Sequence, residues 1–289
     1  MKTYSSEPGR DEKSRLIPCP LCGGDKFRSR WECGSFRFSR CLGCGLIMQN
    51  PQILPLHAHS RYDEEYCEYE KGNEESFLHL MKLGLQDAGF DRWEEEQRVK
   101  GPLLDIGCAT GSLIRWLGER GWEAEGLEIC SASAERARSG GQKVYELPLE
   151  KAALSAEAYS VIHSSHVIEH VNDPRSFVRE IHRLLMPGGY FLCVTPNTAS
   201  FQGVVKKEKW RSAIADHLIL FSARRLKKLL EQEGFRIIAR KTWGGAPAGS
   251  VPAPVKKIMD RAAKKGGWGD VVMLLAEKIA PLDNTTSNH

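Results

Sequence analysis

Short apolar segments alternate with amphipathic ones over residues 101–243, and this alternation is the main pattern in the chain. Runs of apolar and β-branched residues are typical of buried strands, whereas a helical repeat of apolar residues is typical of amphipathic helices. Strands are predicted at PLLDIGC, WEAEGLEI, KVYE, YSVIHSS, GYFLCVTP and FRIIARKTW, with a last one at GDVVMLLAEKI. Helices are predicted at SLIRWLGERG, DPRSFVREIHRLLM and SARRLKKLLEQEG. This order predicts βαβ units and an α/β fold with a mainly parallel sheet.

Turn-forming residues mark the ends of these elements. The segment Asn172-Asp173-Pro174 predicts the start of one helix, and Pro187-Gly188-Gly189 predicts its end. A linker rich in Gly, Pro and Ala, WGGAPAGSVPAP, follows the sixth strand. After it, a short basic amphipathic helix is predicted over Val255 to Lys265.

The same patterns divide the chain into five segments. They are a disordered N-terminus at 1–16, a cysteine-marked module at 17–51, a connector at 52–100, the α/β domain at 101–280 and a disordered tail at 281–289. The connector contains RYDEEYCEYEKGNEE, in which acidic residues alternate with tyrosines. It is interpreted either as solvated surface or as lid helices over the main site.

Composition and charge narrow the class of protein. The 289 residues are 41% hydrophobic, enough for one α/β domain and a small module. No apolar run of about 18 residues is present, and the first segment is polar where a signal peptide is apolar, so we expect a cytoplasmic protein. The net charge of +4 hides an asymmetry, because residues 201–289 hold 17 Lys and Arg against 8 Asp and Glu. These basic segments are interpreted as solvated faces, as a site for an anionic acceptor, or as a peripheral contact with anionic lipid headgroups.

A glycine-containing loop, GCATG, follows the first predicted strand of the α/β domain. At such a strand-to-helix turn, backbone N–H groups face a ligand. A dinucleotide fingerprint would need glycine at Ala109 and Ser112, and Asp105 would add negative charge beside a pyrophosphate. The loop therefore indicates a cationic ligand, and Glu128 at the end of the next strand can accept ribose hydroxyls.

Further motifs follow this loop in a characteristic order. DIGCATG and Glu128 are followed by the block EHV, by PGG, by TPN and by DHLILFSARRLKKLLEQEGF. Together these motifs resemble the class I S-adenosylmethionine-dependent methyltransferases over roughly Gly101 to Ile279. The resemblance implies a Rossmann-like sheet with an antiparallel last strand, and S-adenosylmethionine as the cofactor.

The resemblance also implies which residues hold this cofactor. Asp105 and the glycine loop would hold the amino-acid end, Glu128 the ribose, and the segment 147–150 the adenine. The full implied set is Asp105, Gly107, Cys108, Ala109, Gly111, Glu128, Ile129, Leu149, Glu150 and Ser165. Two positions depart from the family pattern: the segment 147–150 has no Asp, and Ser160 replaces an Asp that commonly opens the fourth strand.

Four of the nine cysteines form two C-x-x-C-G knuckles that are 18 residues apart. This spacing lets two tight turns bring four thiolates to one tetrahedral Zn²⁺. The predicted ligands are Cys19, Cys22, Cys41 and Cys44. Because four thiolates leave no open position, the zinc is predicted to be structural. Cys33 lies between the knuckles and is the spare cysteine.

The cysteine module leaves two hypotheses about its partner open. A similar module precedes the methyltransferase core in a subgroup of the family that modifies sugars and natural products. Basic and aromatic residues also interleave between the knuckles, as they do on nucleic-acid-binding surfaces. These residues are Arg28, Arg30, Trp31, Phe36, Arg37, Phe38 and Arg40.

Histidines and a glutamate follow the fourth strand, where doubly wound folds bind ligands. A hydroxyl acceptor needs a base, and an imidazole suits that role. His170 and His166 are candidates, and the resemblance adds His217. A resemblance to quinone-pathway O-methyltransferases indicates instead a divalent ion at His166, Glu169 and His170. We favour the base, because adjacent Glu169 and His170 reach one ion only if the strand ends in a sharp turn.

These patterns predict a methyltransferase that acts on an oxygen or carbon of a small or lipid-linked acceptor, with sugar, natural-product or quinone-like chemistry. The alternative is a zinc-ribbon RNA methyltransferase or nucleic-acid-binding protein. Enzymes that methylate bases often carry NPPY or DPPY after the fourth strand, where this chain has SSHV. A nucleic-acid partner is therefore not the leading expectation.

Overall fold

The computed structural model describes residues 14–53, 64–95, 101–246 and 249–279. The tail predicted at 281–289, most of the N-terminal segment predicted as disordered, and positions 54–63 and 96–100 of the connector lie outside the described residues. In the described part, no helix combines the length and apolar character needed to cross a bilayer.

Helices and strands alternate through most of the described chain. The α-helices are α1 (Glu64–Ala88), α2 (Phe90–Glu95), α3 (Ser112–Glu119), α4 (Ser131–Ser139), α5 (Pro174–Leu184), α6 (Phe201–Lys206), α7 (Ala223–Gln232) and α8 (Ala253–Gly266). The strands are β1 (Ser14–Arg15), β2 (Phe27–Cys33), β3 (Phe36–Cys41), β4 (Ile47–Gln49), β5 (Gln52–Ile53), β6 (Leu103–Ile106), β7 (Ala124–Leu127), β8 (Lys143–Tyr145), β9 (Tyr159–Ser165), β10 (Leu185–Pro196), β11 (Ile219–Leu220), β12 (Phe235–Trp243) and β13 (Val271–Lys278).

A seven-stranded sheet forms the centre of the molecule, in the order β12-β13-β10-β9-β6-β7-β8. Strand β13 pairs antiparallel with both of its neighbours, and the remaining pairs are parallel. The predicted α/β fold with an antiparallel last strand is therefore confirmed.

Side chains of the central strands alternate between two hydrophobic layers. Ile162 and Phe191 pack on the side of α5 and α7, whereas Val161 and Leu192 pack on the side of α1 and α3. Because a strand directs successive side chains to opposite faces, both faces of the sheet are covered. Since both faces are covered, a binding site is expected at the edge formed by the carboxyl ends of the parallel strands.

Two predictions about element ends need correction. Ser14 and Arg15 form β1, which pairs with β5, although the sequence predicts a disordered segment at 1–16. The sequence PGG does not form a separate turn after α5, because α5 ends at Leu184 and β10 begins directly at Leu185. The glycines occupy an irregular stretch of β10 instead, where its register with β9 shifts between Leu185 and Tyr190.

The cysteine module continues into the α/β domain. Its strands β2, β3 and β4 form a sheet whose fourth strand, β11, comes from the α/β domain. Trp31 and Phe38 of the module pack with Trp210 and Leu220 in one buried cluster. The boundary predicted at residue 51 therefore divides the sequence but not the structure, because the residues on its two sides share one sheet and one buried cluster.

Candidate active site and cysteine centre

The glycine loop lies between β6 and α3, as the sequence predicts. Gly107 and Gly111 have φ angles of 74° and 76°, a conformation that glycine adopts without strain. A Cβ on Gly107 would lie 2.5 Å from the Cγ2 atom of Val167, which follows β9. Gly107 therefore packs directly against Val167, and any other residue would clash at this contact between two strand ends.

Asp105 lies under this loop and is bonded to a histidine of the neighbouring strand. His163 Nδ1 donates to Asp105 Oδ1 over 2.6 Å, and both side chains are buried. Asp105 Oδ2 is buried and has no hydrogen-bond partner among the described residues. Because an unpaired buried carboxylate oxygen is costly, it suits a donor supplied by a ligand, such as the methionine ammonium group.

Glu128 follows β7, and its carboxylate accepts two backbone hydrogen bonds. Ala109 N donates to Oε2 over 2.9 Å, and Cys130 N donates to Oε1 over 2.8 Å. Burial raises the pKa of Glu128, while these N–H groups act in the opposite direction. Both oxygens are held in fixed positions beside the loop, with lone pairs that fit ribose hydroxyls.

The other predicted cofactor residues differ in where their side chains lie. Cys108 packs into a small core with Ile114 and Val144, so only its backbone faces the loop. Leu149 is buried in the main core, whereas Glu150 is exposed. Ile129 and Ser165 are half-buried. Any contact of residue 149 with adenine would therefore come from its backbone.

Strand β9 ends in a sharp turn that carries the predicted histidine cluster. His166 has a φ of 58°, and the chain turns through Ile168, Glu169 and His170. Glu169 is fully buried, and its oxygens are held by His166 Nδ1 at 3.1 Å and by Thr195 Oγ1 at 2.8 Å. Thr195 belongs to the TPN motif, and no local pattern in the sequence predicted its hydrogen bond to Glu169.

Two histidines are oriented by backbone carbonyl groups. His170 Nδ1 donates to Asp216 O over 2.9 Å, and His217 Nδ1 donates to Ser212 O over 2.8 Å. Because a carbonyl oxygen only accepts, Nδ1 is the protonated atom of each hydrogen bond, and Nε2 is the ring atom left for a further contact. The two rings meet edge to face, with centroids 4.9 Å apart.

These contacts change the predicted metal-ligand set. Ligand atoms of Glu169, His170 and His217 lie within 4.8 Å of one another. His166 is outside this group, and its side chain is 47% exposed. The candidate ligand set in the structure is therefore Glu169, His170 and His217, in which His217, from a distant loop, takes the place of the predicted His166. The sharp turn also removes the objection that adjacent Glu169 and His170 cannot reach one ion.

Burial, hydrogen bonds and neighbouring charges together set the pKa values of Glu169 and His217 in this cluster. Burial acts to raise the pKa of Glu169, but the hydrogen bond from His166 and the neighbouring histidines outweigh it and lower that pKa to about 2. Burial lowers the pKa of His217 to about 3, with His170 acting in the same direction. At neutral pH the cluster therefore presents a carboxylate and a neutral imidazole, which are the forms that bind a cation.

The four predicted cysteines form a second cluster, within the module. Cys19 Sγ lies 3.5 Å from Cys44 Sγ, and Cys22 Sγ lies 3.5 Å from Cys41 Sγ. Zn–S bonds of about 2.3 Å in a tetrahedron imply S–S separations of about 3.8 Å, so the donor set fits zinc. The hydrogen bond from Cys19 lowers the pKa of Cys44, which favours a thiolate there.

The two knuckles have matching backbone geometry. Gly23 N donates to Cys19 O and Gly45 N donates to Cys41 O, both over 2.8 Å. Both glycines have positive φ angles, as the knuckle pattern requires. The local sequence therefore accounts for the position of each pair of thiols.

The sheet order, the loop after β6 and the carboxylate after β7 define a class I S-adenosylmethionine-dependent methyltransferase fold. Residues 77–240, more than half of the chain, match a family described as a methyltransferase domain. The chain belongs to this methyltransferase family.

Relatives and solved structures agree with this assignment. A ubiquinone biosynthesis O-methyltransferase of Ruegeria pomeroyi is 37% identical over 101 residues, which cover 33% of this chain and 41% of that protein. The chloroplastic tocopherol O-methyltransferase of Arabidopsis thaliana is 27% identical over 135 residues, covering 44% of this chain and 38% of that protein. The chain thus spans less than half the length of these two relatives.

A methyltransferase structure from Thermotoga maritima superposes with a TM-score of 0.54 at 22% identity, covering 77% of this chain and 99% of that one. At this identity the likeness concerns the fold.

Proposed function

We propose that this chain is an S-adenosylmethionine-dependent O-methyltransferase with a small or lipid-linked, quinone-like acceptor. The observation that carries the proposal is the Glu169, His170 and His217 cluster, in which the first two residues lie on the turn after β9 and His217 comes from the loop before β11. That turn also contains Val167, which packs directly against Gly107 of the glycine loop. The names of the ubiquinone and tocopherol relatives support an acceptor of this chemistry.

S-adenosylmethionine supplies an electrophilic methyl group on a sulfonium centre. The unpaired oxygen of Asp105 would accept a hydrogen bond from its ammonium group, and Glu128 would accept hydrogen bonds from its ribose hydroxyls. Backbone groups of Cys108, Ala109 and Gly111 complete the loop around the amino-acid end. Contacts from Ile129, Leu149, Glu150 and Ser165 are part of the same proposal.

The histidine cluster would hold a divalent cation through the carboxylate of Glu169 and the imidazoles of His170 and His217. Such an ion lowers the pKa of an acceptor hydroxyl that binds to it. The carbonyl groups of Ser212 and Asp216 fix the tautomer and the orientation of both rings. The general-base role of His170, in which its Nε2 takes the hydroxyl proton directly, is the competing mechanism.

A structural zinc ion at Cys19, Cys22, Cys41 and Cys44 is the second part of the proposal. Its donor set is all thiolate, which leaves no position for substrate. The ion stabilises the shared sheet that β4 forms with β11, and thereby the loop that carries His217.

An apolar surface beside the sheet edge supports an apolar or lipid-linked acceptor. Phe201, Val204 and Val205 of α6 are more than half exposed, and Ile258 of α8 is 66% exposed. A cavity of about 190 Å³ lies between these helices. Lysines are adjacent in sequence, so this face also suits peripheral contact with an anionic membrane surface.

The acceptor class is tested with purified protein, radiolabelled S-adenosylmethionine and 3,4-dihydroxybenzoate as a catechol probe. We expect labelled methyl ether and an equal amount of S-adenosylhomocysteine. Bulk RNA is the parallel substrate. Transfer to RNA with none to catechols or quinols would contradict the proposal and favour the nucleic-acid alternative.

The cofactor site is tested by calorimetry with Gly107→Val. The new side chain would clash with Val167 and displace the glycine loop, and it should therefore abolish S-adenosylmethionine binding. Gly188→Val is the matched control, because Gly188 has a similar φ of 73° but a Cβ there would meet no described atom within 4 Å. Glu128→Gln provides a second variant with little change of shape. Unchanged affinity in both site variants would refute the assignment.

A further inference from the structure

A basic cleft lies where the cysteine module meets α7. Its volume is about 320 Å³, and it is lined by Arg28, Arg30, Arg40 and Arg225 and by the second knuckle, residues 41–45. None of the residues that line it is acidic. Four arginines, three from the module and one from the α/β domain, therefore line one cleft.

Two of these groups converge above Gly45. A Cβ on this glycine would lie 2.9 Å from Arg225 Nη2 and 3.4 Å from Arg40 Nη2. The φ of Gly45 is 79°, which the knuckle requires. The glycine that completes the knuckle thus also lets two cationic groups approach the same backbone position.

The placement of these charges is unfavourable without an anion. Arg28 lies directly opposite Arg40 in the β2–β3 pair, and like charges in that position repel each other. Arg225 lies in the first turn of α7, which has no acidic residue there, and a cation opposes the helix dipole at that end. Among the described residues, none of the four guanidinium groups has a carboxylate partner.

A neighbouring arginine on the same ribbon is arranged differently. Arg37 lies opposite Glu32, and its Nε donates to Asn50 O over 3.1 Å. Arg30, in contrast, occupies the register shift between Ser29 and Trp31, and a bulge of this kind redirects a side chain. Within the β2–β3 pair, Arg37 therefore has an acidic neighbour and a backbone acceptor, which Arg28 and Arg40 lack.

One arginine of the ribbon packs on a buried aromatic ring, since Arg30 Cζ lies 5.8 Å from the centroid of the Trp31 ring. Trp31 is 2% exposed and Phe38 is fully buried, and both pack in the core with Trp210. Binding of a single nucleic-acid strand usually combines basic residues with aromatic surfaces on which bases stack. Because both rings are buried, neither offers a free face to a base, which favours a compact anion.

We propose that this cleft binds the phosphate or diphosphate group of a small molecule. Guanidinium groups present paired N–H donors that match phosphate oxygens. A zinc ion with four thiolates carries a charge of about −2, which offsets only part of the charge of four guanidinium groups. The site is independent of methyl transfer, since it uses none of the residues assigned to the cofactor or the acceptor.

The test is calorimetry of the full zinc-containing chain with inorganic pyrophosphate, and with inorganic phosphate as the shorter probe. We expect saturable binding of one pyrophosphate per chain. Arg225→Gln and Arg28→Gln should each weaken it by about tenfold or more, because each removes a charge-assisted contact. Arg224→Gln is the matched control, since it removes the same charge from the adjacent position of α7 but does not line the cleft.

Four outcomes would overturn the proposal. The first is that the wild-type chain shows no saturable binding of pyrophosphate. The second is that Arg224→Gln and Arg225→Gln weaken pyrophosphate binding equally. The third is that the chain binds only single-stranded RNA or phosphatidic acid vesicles. The fourth is loss of zinc from Arg225→Gln with no pyrophosphate binding by the wild type, which would assign the arginines to the metal centre. Zinc content is therefore measured for every variant.

Discussion

The two candidate metal centres differ in how the chain brings their ligands together. All four cysteines lie in one module, and each pair is held by a knuckle whose turn is encoded by its own glycine. Glu169 and His170 lie on one turn, but His217 comes from a loop between α6 and α7. A local pattern can place the first set of donors, whereas the second set exists only after the chain has folded.

One side chain connects the two centres. Gln49, at the end of β4, donates from Nε2 to Ala215 O over 2.6 Å and to His217 O over 2.9 Å. Backbone N–H groups of Leu218 and Ile219 donate in turn to Glu169 O. The cysteine module therefore supports the loop that carries His217. Loss of the cysteine centre should consequently also disturb the histidine cluster.

The largest effect is expected from Cys41→Ser. This variant should lose about one equivalent of zinc and leave the module open to proteolysis, because so small a unit depends on its metal. Since β4 pairs with β11, metal binding at the histidine cluster should also fall. Metal analysis after gel filtration measures both effects. Cys33→Ser is the control and should retain its zinc, and a Cys41→Ser protein with a full equivalent would contradict the four-thiolate site.

Glu169→Gln should lower kcat by about 10²- to 10⁴-fold and remove the second metal while the zinc remains. His217→Ala should lose the same ion, whereas His166→Ala should keep it, since the exposed His166 is outside the cluster. EDTA should abolish turnover, and Mg²⁺ or Mn²⁺ should restore it. Full activity in EDTA would favour the direct general-base role of His170 instead.

Gln49→Ala tests the link between the centres. It leaves two carbonyl groups without their donor, and each buried group of this kind costs about 1–3 kcal/mol. We expect lower stability in urea and a fall in kcat without loss of zinc. Gln52→Ala is the control, because Gln52 is also buried but its Nε2 has no partner among the described residues. Equal losses of stability and kcat in the two variants would show that the burial of the side chain is responsible, and not its hydrogen bonds.

The smallest effect is expected from Asp216→Ala. Its backbone carbonyl orients His170, and the substitution keeps that group. Activity and metal content should change by less than about twofold, as for most substitutions away from buried features. A large loss of activity would show that the carboxylate itself acts at the site.

The amino-acid sequence by itself determined the α/β sheet, the glycine loop and the four-cysteine module. These features are encoded locally: by the period of apolar residues along β6 to β13, by the glycines at positive φ and by the spacing of the knuckles. The resemblance to a methyltransferase domain rests on the same local motifs.

The tertiary structure alone decided which residues meet at the sheet edge. Pairing of β4 with β11 placed His217 beside Glu169 and His170 and left His166 outside, and it brought Arg225 above Gly45. The hydrogen bond between Asp105 and His163 likewise depends on the register of β6 with β9. Contacts between segments far apart in the chain are set by strand pairing and packing, which no local pattern of residues specifies.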